Sequence, residues 1–171
     1  LIPSKNNISQ NQLKILQDWL DNGGKLIVFG NGMLDSSNKK FLIDLGCEYV
    51  SDSPYDFDFT SISETIGYEI VKTPFVNYDS AIRVKLTYGK PLGMIREPYF
   101  NRTYEKYSSH RETPYKLEDS SFPSAVKKNN TIFFTHSLDK LYYHHGMRIH
   151  RQLLENAIEE LKINQYVNVI N

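Results

Sequence analysis

Four apolar residues, Leu26-Ile27-Val28-Phe29, lie between Gly23-Gly24-Lys25 on one side and Gly30-Asn31-Gly32 on the other. A run this short, rich in β-branched and aromatic side chains and closed by glycines, reads as a strand covered on both faces. It predicts a central strand over residues 25–29. At its carboxyl end Gly30 and Gly32 bracket Asn31, so the backbone there can take positive φ and approach whatever lies above the sheet. In open α/β sheets ligands bind in that crevice, which makes Gly30, Asn31 and Gly32 the first candidate site.

The elements on either side follow from local chemistry. Ser9 and Gln12 form a capping box, with Ile8 and Leu13 placed as the hydrophobic staple. Leu13, Leu16 and Leu20, with Ile15 and Trp19 alongside, make an apolar stripe that Gly23 closes, and Trp19 is expected in the core. After the strand, the pattern predicts a second helix from about Ser37 to Leu45, ending at Gly46. That helix–strand–helix order predicts parallel pairing. Residues 47–50 read as a short strand entering the turn-rich 52–56, whose aspartates cap and solvate; they lack the spacing of a calcium loop. Ile82, Val84, Leu86 and Tyr88 alternate with Arg83, Lys85 and Thr87, the mark of a half-exposed strand in an antiparallel edge or side sheet. Residues 92–96 suit another strand. Residues 124–126 and 131–135 flank Lys127-Lys128-Asn129-Asn130 as a hairpin. A last helix is predicted from Met147 to Leu161, buried through Leu154, Ala157, Ile158 and Leu161, with a short edge strand over 164–171.

With 171 residues the chain is expected to be a single domain, and the absence of a starting methionine reads as excision of residues 1–171 from a longer multidomain polypeptide. Twenty basic and twenty acidic side chains cancel, so no global field attracts nucleic acid or an anionic membrane. One cysteine excludes an internal disulfide and a thiolate-rich zinc site. No apolar run approaches the roughly 20 residues of a membrane span, so a soluble protein is expected.

Residues 99–115 carry Tyr99, Arg102, Tyr104, Tyr107, His110, Arg111 and Tyr115 with no clean period. Such groups suit sugar hydroxyls, carboxylates or a partner surface, because each joins a flat apolar body to a polar tip or fork. They equally suit a long loop pinned to its own domain. His136, His144, His145 and His150 invite a metal reading, but adjacent histidines cannot face one way and no H-x-x-x-H pair occurs. His136, directly after a strand, is placed for the carboxyl edge of the sheet beside Gly30; a second role open to it is to hold the Tyr142-Tyr143 segment. No G-x-S-x-G elbow, phosphate loop or dinucleotide fingerprint is present.

Taken in order, Ile2-Pro3 leading through Ser9 and Gln12 to Asp21-Asn22-Gly23-Gly24-Lys25-Leu26-Ile27, then Tyr99-Phe100-Asn101-Arg102-Thr103 and Ser108-Ser109-His110, then Thr131-Ile132-Phe133-Phe134 before Tyr142-Tyr143, resemble a known family. It is the class I glutamine-amidotransferase-like domain of bacterial β-galactosidases, called the trimerisation domain, and of related glycoside-hydrolase-like proteins. The resemblance spans most of the chain. It implies a three-layer α/β fold: a flavodoxin-like, mostly parallel sheet with helices on both faces and an added antiparallel side sheet or hairpin. In amidotransferases of this fold a G-x-C-x-G elbow supplies the nucleophile and a late histidine activates it. Here Gly30 falls where the thiol belongs and offers no nucleophile, while His136 falls in the place of the histidine.

The resemblance therefore implies a bacterial module without catalytic residues, metal or cofactor, in either the cytoplasm or the periplasm. Its partners would be a barrel domain of the same polypeptide or a neighbouring subunit, with a carbohydrate along one side and neither nucleic acid nor membrane. The residues expected to face partner or ligand are Tyr99, Arg102, Tyr104, His110, Arg111, His136 and Tyr142. The alternative is a small-ligand-binding or enzymatic domain using the crevice above Gly30 and His136.

Overall fold

In the computed structural model, which describes residues 1–4 and 7–163, the Leu26–Phe29 strand (β1) sends alternate side chains into two separate cores. Ile27 and Phe29 join Ile132, Phe134, Leu92, Leu153 and Ala157 on one face. Leu26 and Val28 join Phe133, Val126, Met33 and Val84 on the other. The uninterrupted apolar run is the period-two pattern of a strand covered twice.

In chain order the elements are α1 (Gln10–Asp21), β1, β2 (Cys47–Ser51), β3 (Asp58–Ile62), β4 (Phe75–Asn77), β5 (Arg83–Leu86), β6 (Lys90–Arg96), β7 (Pro123–Lys128), β8 (Thr131–Phe134), α2 (Leu138–His145) and α3 (Arg148–Glu160). Six strands form one sheet in the order β1-β8-β7-β6-β3-β4, and β2 pairs with β5 in a second. Helices α2 and α3 cover one face through Leu138, Leu141, Leu153 and Ala157. The leucine stripe of α1 and the small sheet cover the other. The fold is thus a mixed α/β arrangement in layers. Among the described residues no helix is long and apolar enough to cross a membrane.

Two expectations about the sheet are corrected. It is mostly antiparallel: only β1 and β8 run parallel within it, with a parallel bridge from Ile2 to Val28, while the β8–β7, β7–β6, β6–β3 and β3–β4 pairs are antiparallel. And β1 is an outer strand of the sheet among the described residues, whose far edge meets Ile2, with the Ile2 N–H donating to Ile27 O at 2.8 Å and the Phe29 N–H to Ile2 O at 3.1 Å. An apolar run reports covered faces and is silent about lateral neighbours.

The helix expected over 37–45 is absent. The Asp35 carboxylate there accepts from the Ser37 N–H at 2.8 Å, the Ser37 hydroxyl at 2.6 Å and Asn38 Nδ2 at 3.0 Å, and Lys39 takes φ 56°. Local side-chain acceptors outcompete the helical ladder in so polar a stretch. Trp19 is also not core: it is 47 % exposed and Ile15 68 %, because Leu13, Leu16 and Leu20 already fill the inward stripe. The Trp19 ring instead lies on Gly24, where a Cβ would stand 2.3 Å from it.

The capping box is present in both directions, the Gln12 N–H donating to Ser9 Oγ and the Ser9 N–H to Gln12 Oε1. The hairpin of β7 and β8 turns at Asn129, φ 49°, and β5 forms the expected antiparallel side sheet. The edge strand expected over 164–171 lies outside the described residues. Leu153→Ala, which opens a void beneath α3, is expected to lower unfolding free energy by about 3 kcal/mol, and Ile15→Ala by less than about 0.5 kcal/mol. Urea unfolding of the two variants checks this; equal losses would contradict the assignment of faces.

Candidate functional site

The Gly30 turn has the backbone of an elbow and packs against Ser137. Gly30 takes φ 48°, its N–H donates to Phe134 O at 2.8 Å, and Gly32 N–H closes the turn on Phe29 O at 2.9 Å. A Cβ built on Gly30 would stand 2.6 Å from Ser137 Oγ, so the position lies against the chain that follows β8. Asn31 is exposed and Gly32 buried. The expected neighbourhood of Gly30 and the end of β8 is therefore present in the backbone.

His136 faces inward. It is 2 % exposed, and its Nε2 lies 2.5 Å from Oδ1 of the equally buried Asp58 on β3. Asp58 Oδ2 accepts the Ala81 N–H at 2.9 Å, so both carboxylate oxygens are engaged and His136 Nε2 is the donor. Its partner is thus Asp58, not the Tyr142-Tyr143 segment. Beside this pair, His150 Nε2 lies 3.1 Å from Asn77 Oδ1, and Asn77 Nδ2 donates to Thr60 Oγ1 at 2.9 Å. Nε2 is then the protonated nitrogen of His150, and its buried Nδ1 has no partner. Burial pushes the His150 imidazole down to about 4, and the nearby His136 and His145 push in the same direction.

The remaining predicted residues gather on the loop between β6 and β7. Its base is braced: a bridge joins Pro98 to Tyr115, the buried Thr113 hydroxyl donates to Phe100 O at 2.6 Å, and Asn101 holds Pro54 O and the Asp56 N–H. The Tyr115 ring meets Phe59 edge-on at 5.1 Å. Beneath it Glu97 pairs with Arg83 and with Lys116, the latter at 2.8 Å, and Asp119 takes Arg96 at 2.7 Å. The loop's outer part points away: Tyr99 and Tyr107 are exposed, Tyr104 is fully exposed, and the Arg102 guanidinium lies 4.5 Å from the centre of the Tyr107 ring. Arg111 is exposed 3.7 Å from Glu112, and His110 lines a cleft beside β4. Tyr142 stands half-exposed on α2. The segment thus has a pinned base and an exposed aromatic tip.

Sequence reasoning missed Asp58, Thr60 and Asn77, because buried polar residues on short strands look like loop residues, and named His150 only within the metal reading. The one available signal was Phe57-Asp58-Phe59-Thr60, an alternation with its polar members inward. Elsewhere, Cys47 lines a groove of about 940 Å³ between α1 and the side sheet, remote from this chemistry; burial pushes its thiol up to about 12, which removes the nucleophilic thiolate. Among the described residues no cluster of three or more metal-ligating groups occurs.

The fold recurs in parts of solved proteins of different kinds. Part of the α-L-fucosidase isoenzyme 2 from Paenibacillus thiaminolyticus superposes with a TM-score of 0.85 at 22 % identity, covering 94 % of this chain and 24 % of that one. The GH42 β-galactosidase Gan42B from G. stearothermophilus gives 0.57 at 12 % identity, covering 94 % and 21 %. A ThuA-like protein from Bacteroides uniformis gives 0.56 at 12 % identity, covering 92 % and 66 %. The chain thus spans about a quarter or less of the two glycosidases, and the likeness is one of fold. No protein-family model matches the sequence, nor does any curated protein.

His150 makes stability pH-dependent. Its folded value near 4 lies below the ordinary 6.5, so the unfolded chain binds the extra proton between them; the contribution is complete above about 6.5 and falls away as pH drops toward 4. Relative to a His150→Gln variant, the chain is expected to lose about 2 kcal/mol more between pH 7 and pH 5. Urea midpoints at the two pH values measure it, and parallel slopes would contradict it.

Proposed function

We propose that the chain is a non-catalytic, amidotransferase-like module of a glycoside-hydrolase-like protein, serving in packing against a barrel domain or a neighbouring subunit. The observation that carries this reading is the loop over 99–115, rigid at its base and bare at its tip. Tyrosine and arginine are the side chains that dominate interface energetics when desolvated, and a loop held by buried hydrogen bonds presents them at little entropic cost. Arg102, Tyr104 and Tyr107 make no contact that the domain itself needs, apart from the Arg102–Tyr107 stacking.

Two further observations support it. The architecture recurs within a fucosidase and a β-galactosidase, which places related folds in glycosidases. The elbow that would carry a nucleophile has none, since Gly30 carries no side chain, and the histidine after β8 is buried. A ligand-binding or enzymatic role for the crevice above Gly30 has no comparable support, since Gly30 itself packs against Ser137, whose Oγ would lie 2.6 Å from a Cβ there.

Joint replacement of Arg102 and Tyr104 by alanine is expected to weaken assembly of the polypeptide carrying this module by more than about tenfold, or to lower its glycosidase activity. The melting temperature of the module itself should stay nearly unchanged. Sedimentation and activity of the parent, paired with thermal unfolding of the module, make the test. A module that melts several degrees earlier while the parent assembles normally would show the loop to be an internal strut.

A further inference from the structure

The small sheet pairs on one side only. Strand β2 is held by β5, and among the described residues no strand lies along its other side. The groove of about 940 Å³ between α1 and the side sheet is lined by Cys47, Glu48, Tyr49 and Val50, four residues in succession. Side chains of a strand alternate between its faces, so a groove against one face would meet every second residue; a groove that meets four in a row lies along the backbone edge. Such an edge presents N–H and C=O groups ready to pair with another chain. The five residues of β2 offer roughly 17 Å of it, with a bulge only between Tyr49 and Ser51. The groove is also apolar and basic. Val50 is 48 % exposed and Tyr88 87 %, while Lys39 and Lys40 are exposed and join no ion pair among the described residues. Lys39 Nζ lies 5.4 Å from the centre of the Tyr49 ring, which sets this cation beside β2. Of the two acidic residues in the lining, Asp44 is paired with Lys128 and Glu48 lies opposite Lys85 in the register, so the two lysines are the charges left unbalanced.

We propose that the edge of β2 takes up an extended segment of a partner protein, with alternating apolar and acidic side chains, as a further strand of the side sheet. Main-chain hydrogen bonds to the edge supply the common part of the affinity, and alternate side chains supply the selectivity. Apolar members of the segment cover Val50 and Tyr88, and its carboxylates meet Lys39 and Lys40. A docking helix satisfies its backbone internally and would leave the edge unpaired. A phosphate backbone would meet Glu48 on the edge itself. A second copy of this chain would bring the same two lysines to the same edge and add like charge to like. The edge lies outside the loop over 99–115, so its occupant is independent of the packing proposed above.

The test is titration of the chain with a capped hexapeptide of alternating valine and glutamate, followed through backbone amide resonances. The peptide is expected to bind with a dissociation constant on the order of 1 mM and to shift the amides of Cys47, Glu48, Tyr49 and Val50. Methylating all of its backbone nitrogens removes the donors a strand needs and should abolish those shifts. Replacing its glutamates by lysine should weaken binding at least about tenfold. In a chain carrying Lys39→Glu and Lys40→Glu that preference should reverse while the melting temperature stays put, since both side chains are exposed. Absence of shifts at β2, equal binding of the methylated peptide, or an unchanged preference in the lysine variant would each overturn the proposal. So would concentration-dependent shifts of the same amides without peptide, which would show that a second copy takes the edge.

Discussion

A buried histidine–aspartate pair holds the two halves of this chain in register. Asp58 opens β3 near one end of the six-stranded sheet, and His136 follows β8 near the other, with β7 and β6 between them. Through its second oxygen Asp58 also takes the Ala81 N–H, which leads into the side sheet. A carboxylate removed from water is costly unless its hydrogen bonds are met, so this one is tolerated only where Ala81 and His136 both reach it. The pair specifies which arrangement of strands is permitted more than it adds net stability. His150, Asn77 and Thr60 repeat the logic one strand further out, tying α3 to β4.

Around these polar ties, apolar burial follows the alternation of β1 and β8. Odd-numbered residues of β1 and even-numbered residues of β8 face α2 and α3; their neighbours face α1 and the side sheet. Two cores, one sealed by α2 and α3 and the other by α1 and the side sheet, share strands β1, β7 and β8. That sharing explains why the four-residue strands β1 and β8 are buried throughout.

What was legible in the sequence follows from the same physics. Capping at Ser9, the β7–β8 hairpin and the alternation of β5 are local, and local chemistry decided them. The run 26–29 announced its two covered faces but not its outer position, since lateral pairing leaves no mark on side-chain polarity. Residues 37–45 carry enough apolar positions for a helix, yet Asp35 captures the backbone first. Helix α2 buries only Leu138 and Leu141, too few for a period to show. Strands β3 and β4 were hidden because Asp58, Thr60 and Asn77 turn inward, where polarity is read as loop. The parallel sheet, expected from the order of helices and strands and from the resemblance alike, is one this chain does not have.

His136 acts as a structural anchor through Asp58, a role unlike the activating one that the resemblance would give it. An activating base must present a nitrogen to a nucleophile; this ring is buried and next to a turn with no side chain to activate. A double-mutant cycle between Asp58→Asn and His136→Gln, followed by urea unfolding at pH 7, tests this most directly. Each single change should cost about 3 kcal/mol, and the double variant markedly less than their sum, giving a coupling of about 2 kcal/mol. Additive losses, or a His136 variant as stable as the parent chain, would show that the pair does not hold the fold together.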